Sequence, residues 1–197
     1  MEFVIKNADT GDTAKVDGNK NLHVLSRSHD SREIYTFLES HFSLHAICHL
    51  ETEASGAFMM VEYTGSKLLM IKGVRLSAHT LTDGLIIQPV KNPSTTSNGT
   101  NVSKTNIIQK RFSSGENLEA VLTISDNVSD IDFTNGEPFD SEILKSEESV
   151  KFDDVSIIKK GDIYLVSWAT LDGLAAIDAE LVDVTIDCIE ITESDVI

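Results

Sequence analysis

The apolar positions of this chain recur mostly at every second residue. Phe42, Leu44, Ala46 and Cys48 alternate with His41, Ser43, His45 and Ile47. Val182, Val184, Ile186 and Cys188 alternate in the same way with Asp183, Thr185 and Asp187. Successive side chains of a strand point to opposite faces, so both segments read as strands with one buried face and one wet face. The phase changes at Ile189-Glu190-Ile191, which predicts a bulge or a segment leaving the sheet.

Other apolar runs are short and bounded by Gly, Asn, Asp or Ser: Ala57–Tyr63, Leu68–Leu76, Gly84–Val90, Leu118–Ile124, Val155–Ile158 and Ile163–Trp168. Many short strands separated by turn residues predict an all-β protein. The expected architecture is an antiparallel β-sandwich, with a jelly roll among the strand orders it allows. One short helix is expected over residues 31–40. There Asp30 and Glu33 form a capping box ahead of Ile34, Phe37 and Leu38 at helical spacing. Residues 1–27 are expected as an extended N-terminal arm and 28–197 as the sandwich domain. Two polar segments, 92–117 and 135–150, read as excursions from it. No period of 20–50 residues repeats, which excludes solenoids and propellers.

Composition narrows the class. The chain has 197 residues, 41% hydrophobic and 24% charged, which fits a soluble globular domain that needs no disulfide or metal to hold its core. No apolar run approaches the roughly 18–20 residues of a membrane helix. The start, MEFVIKNADT, lacks the basic and apolar regions of a signal peptide. Two cysteines, Cys48 and Cys188, are too few for a secreted disulfide scaffold. Synthesis in a reducing cytoplasm is the expectation.

The formal net charge is −16, and it is unevenly placed. Residues 1–115 carry 12 Lys/Arg against 11 Asp/Glu, whereas residues 116–197 carry 4 against 21. An acidic chain gains nothing from counterion release, so neither nucleic acid nor an anionic membrane is an expected partner. The acidic half is read as a solvated face or one that meets a basic partner.

Candidate chemistry is sparse. His41, His45 and His49 are spaced four apart, but on a strand such residues lie about 13 Å from each other, too far to share a metal. Asp126, Asn127, Asp130, Asp132 and Asn135 precede Gly136, yet the register of a calcium-binding EF-hand fails, since from Asp130 the glycine falls one place late. A looser calcium site of loop carboxylates stays open. Cys48 and His49 are neighbours on a strand, so they face opposite ways and form no dyad. Tyr164 and Trp168 share one face of a strand, as core residues or as a platform for a sugar ring. No GxSxG, Walker A or GxGxxG motif is present. The sequons at Asn98, Asn101 and Asn127 carry no meaning without a secretory signal. No catalytic, cofactor-binding or metal-ligating residue is assigned.

One stretch resembles a known group. Gly11-Asp12-Thr13-Ala14-Lys15-Val16-Asp17-Gly18-Asn19-Lys20-Asn21-Leu22-His23-Val24 reads as a Gly-x-x-Ala-x-Val strand, an Asp-Gly turn and a Leu-x-Val strand. It resembles the N-terminal arm of tailed-bacteriophage virion structural proteins. The later order is similar too: strands around 42–50 and 57–63, a run like Leu69–Leu76, an Asn-rich segment from Asn92-Pro93 through Gly99-Thr100 to Asn106, and a closing strand at Val182–Ile191. The acidic stretch 135–150 has no counterpart there. The resemblance implies a non-enzymatic capsid-decoration, fibre or neck component with a β-sandwich, commonly oligomeric, and it brings no site residues with it.

Three functions are therefore carried forward. The first is a virion protein, assembled in the host cytoplasm, that contacts other virion subunits (major capsid, neck or tail) and its own copies, a trimer being one form. The second is a carbohydrate- or calcium-dependent adhesin-like module. The third is a jelly-roll enzyme with a histidine-bound metal.

Overall fold

In the computed structural model, the described residues are 5–6, 13–16, 22–23, 41–50, 53–78, 81–82, 84–101, 107–109, 118–126, 128–153, 156–174 and 180–192. The chain divides into two units, Met1–Ile34 and Tyr35–Ile197. In the first, β1 (Ile5–Lys6), β2 (Thr13–Val16) and β3 (Leu22–His23) pair antiparallel in that order, with Ile5 opposite Ala14 and Lys15 opposite His23. Among the described residues there is no helix. The helix expected over 31–40 lies outside them.

The second unit is an antiparallel β-sandwich. Its strands are β4 (His41–His49), β5 (Ser55–Tyr63), β6 (Leu68–Ala78), β7 (Leu85–Lys91), β8 (Thr95–Asn98), β9 (Thr100–Asn101), β10 (Ile107–Gln109), β11 (Ala120–Ile124), β12 (Ile131–Thr134), β13 (Glu137–Pro138), β14 (Glu142–Leu144), β15 (Ser149–Phe152), β16 (Ser156–Ile158), β17 (Ile163–Thr170) and β18 (Leu181–Ile191). Sheet I runs β10-β4-β18-β6-β15, with β16 also on β6. Sheet II runs β13-β7-β17-β5-β11-β9, with β14 also on β7. A two-stranded ribbon, β8-β12, stands beside them. The chain crosses between the sheets at nearly every connection. Taking β4, β5, β6, β7, β13/β14, β15/β16, β17 and β18 as the first to eighth strands, sheet I has the order first-eighth-third-sixth. Sheet II has second-seventh-fourth-fifth.

Alternation survives where one face is partly open to solvent, although His41 and Ser43 on it are buried. Along β4 and β18, Phe42, Leu44, Ala46, Cys48, Val182, Val184, Ile186 and Cys188 are buried in the main core, and their neighbours face outward. Alternation fails in β5 and β17, the centre of sheet II, because both faces are covered there. Val61, Tyr63, Tyr164, Val166 and Trp168 enter the main core. Ala57, Met60 and Leu165 enter a second small core, closed by Ile131 and Phe133 of β12. A strand covered on both sides reads as a continuous apolar run, as AFMMVEY does.

Bulges adjust the remaining positions. The pairing of β17 with β5 shifts between Val166 and Ser167, so Phe58 is the extra residue of β5. Both Phe58 and Met59 then reach the main core, and Phe58 stacks on Trp168 with centroids 6.0 Å apart. The phase change expected at Ile189–Ile191 arises slightly earlier. The pairing with β6 shifts between Asp187 and Cys188, with Lys72 as the extra residue, and β18 stays in the sheet through Ile191 opposite Leu68. The stretch 135–150, expected as an excursion, instead provides β13 and β14 at the edge of sheet II and the start of β15 at the edge of sheet I. Its alternation is too short and too acidic to show as strand pattern.

Candidate functional site

His41 and His45 of β4 point out from sheet I, each toward a carboxylate of β18. In the β4–β18 register, His45 lies opposite Thr185 and His41 opposite Ile189, so Asp183 and Asp187 stand on the diagonals. His45 Nε2 is 2.7 Å from Asp183 Oδ1, and His41 Nε2 is 4.0 Å from Asp187 Oδ1. The outcome is a ladder of His–Asp pairs rather than a shared ion site. The sequence signal for it is the matched four-residue spacing of His41/His45 and Asp183/Asp187, which becomes legible only once β4 and β18 are known to be neighbours.

Three of the residues weighed for a calcium loop, Asp126, Asp132 and Asn135, bond to the chain itself. Asp126 Oδ1 accepts from the Val128 and Ser129 amides at 2.8 and 3.0 Å, an Asx turn. Burial pushes this carboxyl up. The two amides, the Thr100 hydroxyl and the His49 charge outweigh that and hold it below the ordinary carboxylate range. Asp132 accepts from the Asn98 amide across β8–β12. Asn135 Nδ2 reaches Ser94 Oγ, and its backbone takes φ +53° in the turn before β13. Asn127 lies outside the described residues. Beneath the turn, the buried Ser125 hydroxyl donates to the Ala57 carbonyl and accepts from the Ile131 amide, tying β12 to β5. Among the described residues no group of three or more His, Cys, Asp and Glu side chains is placed to hold a metal ion.

Four other candidate residues are buried in the structure. Cys48 and Cys188 are both buried, and burial pushes both thiols up. Tyr164 and Trp168 are 2% exposed, part of the main core, so no stacking platform faces solvent there. Sequence reading missed a polar contact joining the two sheets. The Tyr63 hydroxyl donates to Glu190 Oε1 at 2.8 Å, and Lys67 Nζ lies 3.7 Å from Glu190 Oε2. No local pattern joins residues 127 positions apart.

The polar segment 92–117 supplies β9, the outer strand of sheet II, and β10, the outer strand of sheet I, on the same flank. The opposite flank is built from β13/β14 and β15/β16. The outward face of sheet I carries the His–Asp ladder with Thr185 and, opposite it on β6, Arg75. Among the described residues no helix is long and apolar enough to cross a membrane. No protein-family model matches the chain, and no curated protein sequence matches it.

Proposed function

We propose that this chain is a non-enzymatic structural subunit of a tailed-bacteriophage particle, which decorates or completes the capsid or neck through symmetric protein–protein contacts. The observation that carries the reading is the course of residues 92–117. One polar segment, rich in Ser, Thr and Asn, forms the outer strand of both sheets on one flank. Edge strands offer a row of backbone donors and acceptors to a neighbouring chain, and pairing of that kind gives affinity without any reactive side chain. The strand order adds support. First-eighth-third-sixth facing second-seventh-fourth-fifth is the order of a jelly roll, which we infer here, and such folds build viral capsids. The same fold also serves lectins and metal-dependent enzymes, so fold alone does not decide between them. The N-terminal segment Val4–Val24 is the second proposed contact, as its resemblance implies.

Light scattering on the purified chain, with calcium and then with excess chelator, tests the mechanism. A trimer or larger ring indifferent to chelator is the expected result. Removal of residues 1–25 is expected to abolish incorporation into particles while leaving the sandwich folded by circular dichroism. A chain that stays monomeric and is absent from purified particles overturns the proposal, and an oligomer that dissolves in chelator returns the acidic loops to consideration as a metal site.

A further inference from the structure

The chain has two Asn-Gly pairs, Asn98-Gly99 between β8 and β9 and Asn135-Gly136 between β12 and β13. In such a pair the asparagine side-chain carbonyl and the next backbone nitrogen can close a five-membered ring. Glycine, with no β-carbon, leaves that nitrogen unhindered. Both asparagines are exposed, and both have positive φ, +60° at Asn98 and +53° at Asn135. Access to water and backbone region therefore do not separate the two pairs. The hold on the two reacting groups does.

Asn98 is held at both groups. Its amide nitrogen donates to the Asp132 carboxylate across the ribbon. The Gly99 nitrogen, the would-be nucleophile, donates to Ser129 Oγ at 3.0 Å. Ile131 and Thr123 fill the space beside Gly99. Asn135 is held far less. Its Nδ2 stands 3.5 Å from Ser94 Oγ, the outer limit of a hydrogen bond. Among the described residues the Gly136 nitrogen donates to no acceptor.

We propose that Asn135 is a site of spontaneous deamidation by the Gly136 nitrogen, and that the fold protects Asn98 from the same reaction. The Gly136 nitrogen gives up its proton to water or hydroxide and bonds to Asn135 Cγ. The bond from Cγ to Nδ2 breaks, and Nδ2 leaves as ammonia. Water then opens the cyclic imide. Attack at Cγ gives aspartate, and attack at the main-chain carbonyl gives isoaspartate. Nothing is oxidised or reduced, and water is the only co-reactant. Either product adds a carboxylate to an acidic stretch. Isoaspartate also adds a methylene to the backbone. A β-carbon at Gly136 would collide with Val90, so this glycine is seated on β7. It leads directly into the pairs Glu137–Lys91 and Pro138–Val90, so β13 is the strand that an added methylene would displace.

The test is incubation of the full folded chain at mildly alkaline pH, with a parallel sample in denaturant. Proteolytic peptides from each time point are then sequenced by mass spectrometry, with digestion kept mildly acidic. In the folded chain Asn135 is expected to convert to aspartate and isoaspartate. Asn98 is expected to react at least about tenfold more slowly, because it must break two closer hydrogen bonds. In denaturant the two rates should converge. Ser129→Ala frees the Gly99 nitrogen and is expected to speed Asn98 several-fold, with circular dichroism confirming that the variant is folded. Asn135 that keeps its amide in the folded chain while it reacts in denaturant overturns the proposal. So does Asn98 that reacts as fast as Asn135 in the folded chain. An unchanged Asn98 rate in folded Ser129→Ala overturns the protection assigned to that hydrogen bond.

Discussion

Tyr63 of sheet II donates its hydroxyl to Glu190 of sheet I, which ties the two layers together where β5 turns into β6. Burial, and then the hydrogen bond and charge of Glu190, push the phenol well above its ordinary value. A group raised in the folded state stabilises the fold fully below its unfolded pKa of about 10, and that stabilisation is lost as pH rises toward the folded value. Tyr63→Phe is expected to cost about 1–3 kcal/mol at neutral pH, because Glu190 loses a donor. It should also flatten the part of the stability profile above about pH 10 that belongs to this phenol. Urea titrations of both forms across alkaline pH check this, and parallel profiles would remove Tyr63 from that limb.

Gly65 is bound to the same contact. A β-carbon there would collide with the Tyr63 hydroxyl, so the turn passes close above the ring only because residue 65 has none. Gly65→Ala is expected to displace the phenol from Glu190 and lower the melting temperature at least as far as Tyr63→Phe does. Combining the two should cost little more than the larger alone, since both break one contact. Additive losses would separate the turn from the contact.

Gly99 serves a different join, between the β8–β12 ribbon and sheet II. Its φ is +78°, after Asn98 at +60°. A β-carbon would fall 2.6 Å from Ile131 Cγ1 and 2.7 Å from Thr123 Cγ2. The backbone preference costs about 1–2 kcal/mol and the overlap adds to it. Gly99→Ala should therefore destabilise by about 2 kcal/mol or more in thermal or urea unfolding. Thr100→Ala, one residue on, should cost less. The reverse ranking would show that the ribbon does not depend on this approach.

The strands that the sequence made legible are those with one wet face. His41–His49 and Leu181–Ile191 announced themselves by alternation, and their ends were nearly right. β5 and β17 read as apolar runs, but their second buried face does not show in the sequence, because the residues that cover it, Ile131 and Phe133, lie far away in an acidic, turn-rich stretch. The bulges at Phe58 and Lys72 add one residue without changing composition, so periodicity blurs there but does not locate them. Site chemistry was legible mainly as exclusion. The spacing of His41, His45 and His49 argues against a shared ion on a strand, but Asp183 and Asp187 as the neighbours of His45 and His41 required the register.

Asp126 tests how the acidic loop is used. Its carboxylate holds an Asx turn and lies below the ordinary range, so its stabilising effect is present above about pH 4 and lost as pH falls through the folded value. Asp126→Ala is expected to cost about 1 kcal/mol, from the lost turn hydrogen bonds. Asp126→Asn can keep the turn and should chiefly flatten the acid limb. Millimolar calcium is expected to leave the melting temperature of the wild-type chain unchanged. A calcium-dependent rise abolished by Asp126→Asn would make the turn a ligand set.

Cys48 and Cys188 share the inner face of sheet I but not a location. In the β4–β18 register Cys48 lies opposite Val182 and Cys188 opposite Phe42, six positions along β18 from Cys48's partner. At about 3.3 Å per residue that is roughly 20 Å, where a disulfide requires α-carbons within about 7 Å. Burial pushes both thiols up, and the thiolate is the reactive form. The native chain should therefore resist iodoacetamide at neutral pH, then take up two equivalents per chain in denaturant without prior reduction. Mass spectrometry reads both states. Labelling in denaturant that needs a reductant first would mean the thiols had paired, which the register of β4 and β18 forbids in the folded chain. Rapid labelling of the native chain at Cys48 would mean instead that β4 opens at its His49 end on the timescale of the reaction.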